Sequence, residues 1–406
     1  MVEPRAPDVL RRRLGLIGLT LYGLGVTIGA GIYVLIGQVA GLAGAGAPLA
    51  FLLAAAVAGL TAMSFAELSV RLPHSAGEAV YVRQGLGSPV LALVTGLAVA
   101  MTGMVAAAAV LIGASGYLAT LMPFAPWIIA VGLIVALGAL AVWGIAESVA
   151  AIGIVTLVEI GGLLVILAVA APVTLAAPAW PMADAAPLAT GSFVAAVVVA
   201  FFAFIGFEDM VNVVEEVRAP ERTMPLAIGL TLAATTVLYV SLACVALGVA
   251  SPGELAASTA PLALVFERAT GLSPAPFAVV AGVATVNGVL VLVIMASRVL
   301  YGLARQGNLP ALLGHVWTRT GTPVAATVLV CLAVLAGALC LPIALLAQAS
   351  SMLTLTSFTL VNIALIALKR RDPAGTGGFR VPFWWPWAAA LASGGVLAAE
   401  LWRLVA

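Results

Sequence analysis

Long apolar runs separated by short polar segments make up most of the chain. Eleven runs are long enough to cross a membrane, because a helix needs about 20 apolar residues to span the hydrocarbon core. They lie near residues 14–41, 46–71, 88–121, 126–144, 148–171, 192–217, 225–250, 275–305, 322–341, 343–368 and 381–404. The pattern predicts an all-α membrane protein with 11 transmembrane helices. The basic residues 11–13 resemble the start of a signal peptide, but the run behind them continues too far, so we interpret it as the first span.

Two of these runs carry residues that weaken a membrane helix near its middle. The first contains Gly25, Gly29 and Gly31, and the sixth contains Gly206 followed closely by Glu208. Each glycine costs about 1 kcal/mol relative to alanine, and a mid-bilayer carboxylate is unfavourable unless it faces a cavity or a partner. Gly25 and Gly29 also form a G-x-x-x-G pair, which is typical of close helix packing.

The distance between the two weakened spans indicates an inverted repeat. They are five helices apart, so they run in opposite directions across the membrane. Paired broken helices of this kind form the midplane substrate site of many secondary transporters. We therefore expect residues 1–406 to form a single transmembrane transport domain with a 5+5 repeat, at about 14–171 and 192–368, and an extra C-terminal helix at about 381–404.

Composition excludes several other classes of protein. Hydrophobic residues make up 64% of the chain and charged residues only 8%, against about 25% charged residues in an average soluble domain. There are no basic clusters of the kind that bind nucleic acid. The two histidines, His74 and His315, fall far apart in polar loops, and no zinc-protease, phosphate-loop or serine-nucleophile motif is present. We therefore expect neither an enzyme nor a bound cofactor or metal.

The distribution of basic residues predicts the orientation. If the N-terminus is cytoplasmic, only Arg268 and Arg403 of the 17 lysines and arginines lie outside. Basic residues concentrate in cytoplasmic loops, so we expect a cytoplasmic N-terminus and, after eleven spans, an external C-terminus. The alanine-rich composition is typical of a GC-rich bacterial genome and thus favours the cytoplasmic (inner) membrane.

Five motifs occur in family order along the chain. They are Gly29–Tyr33, the loop Pro73–Gly87, Phe202–Glu208, Glu215–Pro225 and Ser297–Arg305. Together they resemble the amino acid–polyamine–organocation superfamily, and in particular its bacterial proton-coupled amino acid transporters, which have the leucine-transporter fold. The resemblance covers nearly the whole chain. Two features depart from it: Ala219 replaces the usual asparagine of the loop after helix 6, and the usual twelfth span is missing.

The resemblance also implies a substrate site at the two breaks. Backbone amides in helix 1 would hold the substrate carboxylate, backbone carbonyls in helix 6 would hold its amino group, and an aromatic residue would cover it. The amide side chain in helix 8 would touch the substrate or an ion, or bond to a neighbouring helix. The candidate substrate-binding residues are Thr27, Ile28, Gly29, Ala30, Gly31, Phe202, Phe204, Ile205, Gly206, Glu208 and Asn287.

Glu159 and Glu208 are the candidate ion-coupling residues. Glu159 lies about halfway along the fifth span, where some proton-coupled relatives carry a lysine. It fits a proton carrier, a ligand for a cation such as sodium, a protonated residue bonded between helices, or a group that contacts the substrate directly. Glu208 is expected either to respond to protons, as in some antiporters of the family, or to accept from the exposed amides of the broken helix.

Together these features predict a secondary active transporter of amino acids that works by alternating access. Proton-coupled symport is the favoured mode, and an amino acid or amine exchanger and a polyamine or organic-cation transporter are the alternatives. The partners are then an amino acid or related amine, protons or sodium, and the lipid bilayer. We also expect a short outer helix over Ser258 to Thr270, which would cover the external vestibule.

Overall fold

The computed structural model describes residues 14–28, 31–73, 77–143, 149–176, 191–373 and 378–405. Within these ranges the chain is helical and no strand is formed. The α-helices are α1 Leu16–Ile28, α2 Gly31–Ala43, α3 Ala47–Arg71, α4 Gly77–Leu86, α5 Pro89–Ala119, α6 Pro126–Trp143, α7 Val149–Ala176, α8 Gly191–Phe202, α9 Pro220–Val249, α10 Pro252–Ala257, α11 Pro261–Thr270, α12 Ala275–Arg305, α13 Val324–Cys340, α14 Ile343–Arg371 and α15 Trp385–Val405. Three 3-10 helices accompany them in the described ranges, at Gly44–Gly46, Phe207–Glu216 and Ala311–Gly314.

The membrane-spanning helices follow the predicted runs. Within the described ranges, nine segments are long and apolar enough to cross a membrane, and one of them, Gly31–Arg71, joins α2 and α3 through a short 3-10 turn. Leu16–Ile28 and Val324–Cys340 are shorter apolar helices. If α1 and α2 are counted together as one span and α3 as another, the described segments give the eleven predicted spans. The predicted all-α membrane architecture is confirmed.

The sixth span is discontinuous. In the first, α1 ends at Ile28 and α2 begins at Gly31, and the two residues between them lie outside the described ranges. In the sixth, α8 ends at Phe202, a turn follows, and the chain continues as the 3-10 helix Phe207–Glu216 rather than as an α-helix. The second half of the chain then repeats the order of the first: a glycine-containing span, a long helix, one or two short connecting helices and three further spans. The third spans of the two halves, α5 and α12, pack along each other, and α15 packs against α14 and α3.

Two connecting segments contain helices that the sequence does not predict. The outer helix expected over Ser258 to Thr270 is α11, and a further short helix, α10, precedes it, started by a capping box of Ser251 and Glu254. Pro261 then opens α11, since proline disfavours the helical conformation in the residue before it. On the predicted cytoplasmic side, the loop between the second and third spans contains the helix α4, which the sequence reading treated as a loop.

A buried ion cluster joins the ends of α3 and α14 to the segment before α15. The carboxylate of Glu67 is fully buried and accepts from Arg71 Nε at 2.8 Å. It also pairs with Lys369 Nζ at 2.8 Å and accepts from the backbone N–H of Val381 at 2.8 Å. Lys369 in turn donates to the Val381 carbonyl at 2.7 Å. Removing the carboxylate would therefore leave two cations facing each other in a buried place.

We expect Glu67→Ala to destabilise the protein by about 3–5 kcal/mol, because breaking a buried pair leaves an uncompensated charge. The measurement is the temperature at which half of the detergent-solubilised protein aggregates. Glu254→Ala is the matched control, since it breaks the Glu254–Arg268 pair, whose side chains are 44% and 39% exposed, and exposed pairs contribute little. Equal shifts in both variants would show that the Glu67 cluster does not hold these segments together.

Candidate functional site

The first and sixth spans cross at Gly31 and Gly206, with backbone against backbone. A Cβ atom added to Gly31 would lie 2.5 Å from the Cα of Ala203, and one added to Gly206 would lie 2.8 Å from the carbonyl oxygen of Val26. Gly206 also has φ 123°, a conformation that L side chains rarely adopt. These contacts explain why glycine occupies both positions. They bring the end of α1, the start of α2 and the turn of the sixth span to one place.

Side chains satisfy part of the backbone that the breaks expose. Tyr239 on α9 donates its hydroxyl to the Thr27 carbonyl at 3.0 Å. Glu208 accepts from the backbone N–H of Gly206 at 2.8 Å. The Glu208 carboxylate therefore occupies the capping position that was one of its two predicted roles. The hydroxyl of Thr27 is buried with no hydrogen-bond partner among the described residues, so it is a free polar group beside the break.

The structure places most of the predicted substrate-binding residues at this crossing. Gly29 and Ala30 lie outside the described residues. Ile205 and Asn287 are half-buried. The buried members of the set are Thr27, Ile28, Gly31, Phe202, Phe204, Gly206 and Glu208. Phe204 packs edge-to-face against Tyr239 with ring centroids 5.2 Å apart. Tyr239 therefore contacts both spans, since its hydroxyl donates to the Thr27 carbonyl of the first span.

Glu159 on α7 lies beside the first broken span and is completely buried. Its backbone carbonyl accepts from the hydroxyl of Tyr33, on α2, at 2.6 Å, and the Tyr33 carbonyl accepts from Tyr117, on α5, at 2.6 Å. Both carboxyl oxygens of Glu159 lack a hydrogen bond of ordinary geometry within the described residues. The side-chain amide of Asn287 on α12 is the polar group that approaches them. An acidic group with unused oxygens thus lies next to the crossing.

The sequence reading missed two of the tyrosines that organise the site. Tyr33 and Tyr81 fall within recognised motifs, but Tyr117 and Tyr239 were not singled out. All four are fully buried. The available signal was chemical: a phenol in the middle of an apolar span needs a hydrogen-bond partner. A broken helix supplies such partners, because it leaves carbonyls without intrahelical bonds.

We expect Tyr239→Phe to raise the substrate KM about five- to tenfold with little loss of folded protein. The change removes one hydrogen bond to the Thr27 carbonyl, and a net loss of about 1 kcal/mol is typical. Initial uptake rates over a range of substrate concentrations would measure it. Tyr301→Phe, near the end of α12, is the control and should leave the KM unchanged. An unaltered KM in Tyr239→Phe would mean that this bond does not shape the site.

An aromatic cluster closes the predicted cytoplasmic side of the crossing. Phe358 on α14 packs against Phe65 at 5.3 Å, Phe207 at 5.4 Å and Phe201 at 5.8 Å between ring centroids. Phe65 also contacts Tyr81 of α4 at 6.1 Å. Because Phe207 directly follows the break and Tyr81 belongs to the connecting helix, these rings separate the crossing from that end of the protein. The ring cluster therefore packs across this side of the crossing.

Glu78 lies on α4 at the contact between this helix and the sixth span. Gly77 beside it faces Asn212 of the 3-10 helix, whose side-chain oxygen would lie 3.2 Å from an added Cβ. Burial raises the pKa of Glu78 to about 7, and the nearby Asp209 carboxylate contributes to the rise. The Glu208 carboxylate is also close enough to Glu78 for the two groups to repel each other electrostatically. Because the pKa of Glu78 is raised when α4 is seated, the seated form holds a proton that the released form has already lost. The contact between α4 and the sixth span is therefore stable at low pH and weakens as the pH rises through about 7.

We expect the population with α4 seated on the sixth span to fall about tenfold, relative to the released form, between pH 6 and pH 8. Hydrogen exchange of α4, corrected for the intrinsic pH dependence, would report this change. Glu78→Gln stays neutral over the range and should remove the pH dependence. If the variant showed the same pH response as the original protein, another group would be responsible.

The crossing of the first span with the discontinuous sixth span, lined by apolar side chains and flanked by a buried carboxyl group, defines a helical multi-pass transporter with a central small-molecule site. The comparison with known proteins identifies its family. Residues 14–400 match the family described as amino acid permease. The chain belongs to this family, as the sequence motifs predicted, and it is a transporter rather than an enzyme.

Individual relatives cover most of the chain. A branched-chain amino acid permease of Bacillus subtilis is 30% identical over 400 residues, which cover 92% of this chain and 84% of the relative. The vacuolar cationic amino acid transporter 2 of Arabidopsis thaliana is 31% identical over 395 residues, covering 90% of this chain and 61% of the relative. A methylthioribose transporter of Bacillus subtilis is 29% identical over 395 residues, covering 92% and 85%. The similarity therefore supports amino acid transport, while the names differ in substrate.

Proposed function

We propose that this protein takes up amino acids across the cytoplasmic membrane by alternating access, and that it couples uptake to protons through Glu159. The observation that carries the proposal is the complete burial of the Glu159 carboxyl group beside the crossing, where the Asn287 amide approaches it and no cation pairs with it in the described part of the chain. A charged carboxylate is strongly disfavoured in such a place. A proton neutralises it without any additional ligand.

The closed arrangement supplies a reason for coupling. Glu159 is buried while the aromatic cluster, Phe65, Tyr81, Phe201, Phe207 and Phe358, closes the predicted cytoplasmic side. A charged Glu159 would disfavour this closed form, whereas a protonated one permits it. Substrate at the crossing likewise favours closure around it. Transport of both together then follows, because the closed form is the one that passes between the two open states.

The substrate we propose is an apolar amino acid. Its carboxylate would bind near the start of α2, its amino group near the turn that ends at Gly206, and its side chain against apolar residues. Those residues are Ile28, Phe202, Phe204 and Ile205. The name of the branched-chain amino acid permease of Bacillus subtilis is in keeping with this choice.

A cationic substrate is the second candidate, and a specific observation favours it. Among the described residues Glu159 forms no ion pair, and its carboxyl oxygens, approached by the neutral Asn287 amide, could accept from a substrate ammonium group. In that case Glu159 would bind substrate instead of carrying a proton, and exchange would be the natural mode. The vacuolar cationic amino acid transporter 2 of Arabidopsis thaliana carries this substrate class in its name.

Uptake into liposomes containing the purified protein distinguishes these possibilities. Labelled leucine, alanine, arginine and glutamate are compared with and without an inward proton gradient, in empty vesicles and in vesicles preloaded with unlabelled substrate. Gradient-stimulated leucine uptake into empty vesicles supports the proposal. Arginine uptake confined to preloaded vesicles would support a cationic exchanger. No uptake of any of them by folded protein would contradict amino acid transport by this chain.

A further inference from the structure

A groove opens between α14 and α15 near the predicted cytoplasmic end of α14. Its volume is about 410 Å³. Its lining residues are Ile363, Ile366, Ala367, Arg370, Arg371 and Trp387. The five residues from α14 have the spacing of one helix face, so they form a continuous stripe. This stripe is apolar toward the membrane interior and basic at the end of the helix.

Two of the three basic residues at the end of α14 can bind a ligand in the groove. Lys369 turns inward and pairs with Glu67 at 2.8 Å. Arg370 and Arg371 are exposed, and the guanidinium carbon of Arg370 lies 5.2 Å from the centre of the Trp387 ring. The arrangement holds one guanidinium group over the groove wall and leaves its N–H donors available.

Exposed aromatic side chains mark the depth of this groove in the bilayer. Phe383, Trp384 and Trp387, at the start of α15, are 54%, 59% and 41% exposed. Tryptophan is enriched at the level of lipid headgroups. The arginines therefore lie at headgroup level, and the exposed Ile363 lies deeper, beside the acyl chains.

We propose that this groove binds an anionic phospholipid of the cytoplasmic leaflet. The phosphate would accept from Arg370 and Arg371, and one acyl chain would lie along Ile363, Ile366 and Ala367. Two cations on one small surface favour a lipid with net negative charge over a zwitterionic one. Because α14 also carries Phe358 of the aromatic cluster and α15 follows the Glu67 cluster, a lipid bound here would hold together the helices that close the predicted cytoplasmic side.

Native mass spectrometry of the purified protein tests the proposal, with dioleoyl phosphatidylglycerol and dioleoyl phosphatidylcholine as the probes. We expect the first bound lipid to be retained about tenfold better when it is phosphatidylglycerol than when it is phosphatidylcholine. The double variant Arg370→Gln/Arg371→Gln should lose this preference. The double variant Arg83→Gln/Arg305→Gln, which removes the same charge elsewhere on the predicted cytoplasmic side, should keep it.

Two further arms separate a lipid site from a simple anion site. Ala367→Trp fills the apolar part of the groove without changing charge, and it should also weaken retention of phosphatidylglycerol. Soluble glycerol 3-phosphate should not displace the lipid. Equal retention of the two lipids by the original protein, or the same loss in both double variants, would overturn the proposal. Full displacement by glycerol 3-phosphate would do so too, because the acyl chain would then contribute nothing.

Discussion

Gly206→Ala is expected to reduce transport at least about hundredfold while leaving a protein that still reaches the membrane. The backbone at this position has φ 123°, and an added Cβ would lie 2.8 Å from the Val26 carbonyl oxygen. Such a conformation costs a residue with a side chain about 1–3 kcal/mol, and the clash adds to this because the opposing atom belongs to the backbone. About 3 kcal/mol corresponds to a factor of about a hundred in rate.

A glycine in an open place supplies the control. Gly229 lies on α9, and nothing is within 4 Å of the Cβ that alanine would add there. Gly229→Ala should transport at the original rate. Initial uptake rates, normalised to folded protein in the vesicles, compare the two variants. Normal transport by Gly206→Ala would show that the two spans do not cross at this point during the cycle.

Glu159→Gln is expected to abolish the response to a proton gradient and to preserve exchange. A gradient of one pH unit is worth about 1.4 kcal/mol, so one coupled proton can raise substrate accumulation about tenfold. Glutamine has nearly the same shape and cannot carry the proton. Accumulation by the variant should therefore be independent of the gradient, while counterflow into preloaded vesicles continues, because the neutral glutamine side chain permits the closed form.

A carboxylate outside the core provides the comparison for that result. Glu254→Gln removes an exposed acidic group that pairs with Arg268 on the outer helices, and it should respond to the gradient like the original protein. The proposal that Glu159 carries the proton would be wrong if Glu159→Gln kept its gradient response. Loss of both accumulation and exchange in folded variant protein would instead indicate that Glu159 binds substrate.

The span positions could be predicted because the hydrophobic pattern is set by the bilayer alone. The break in the sixth span could also be predicted, since Gly206 is a poor residue for a membrane helix. The conformation after the break could not, and Phe207–Glu216 forms a 3-10 helix. Its geometry depends on tertiary contacts, such as the Leu14 N–H that donates to the Glu216 carbonyl at 2.9 Å.

Residues that act through distant partners were the hardest to find. Tyr239 and Thr27 are far apart in sequence but share a hydrogen bond of 3.0 Å across two spans. Glu67 looks like one half of a local pair with Arg71, and only the fold adds Lys369 and the N–H of Val381. A single sequence shows that such groups need partners, but the packing of the helices decides which partners they meet.

Proton movement during substrate uptake tests the central claim most directly. The purified protein is reconstituted into liposomes that contain a pH-sensitive dye, with no gradient imposed, and leucine is added outside. Coupling through Glu159 predicts that the interior becomes more acidic as leucine enters, and that Glu159→Gln shows no such change. Leucine uptake by the original protein with no acidification would contradict proton coupling.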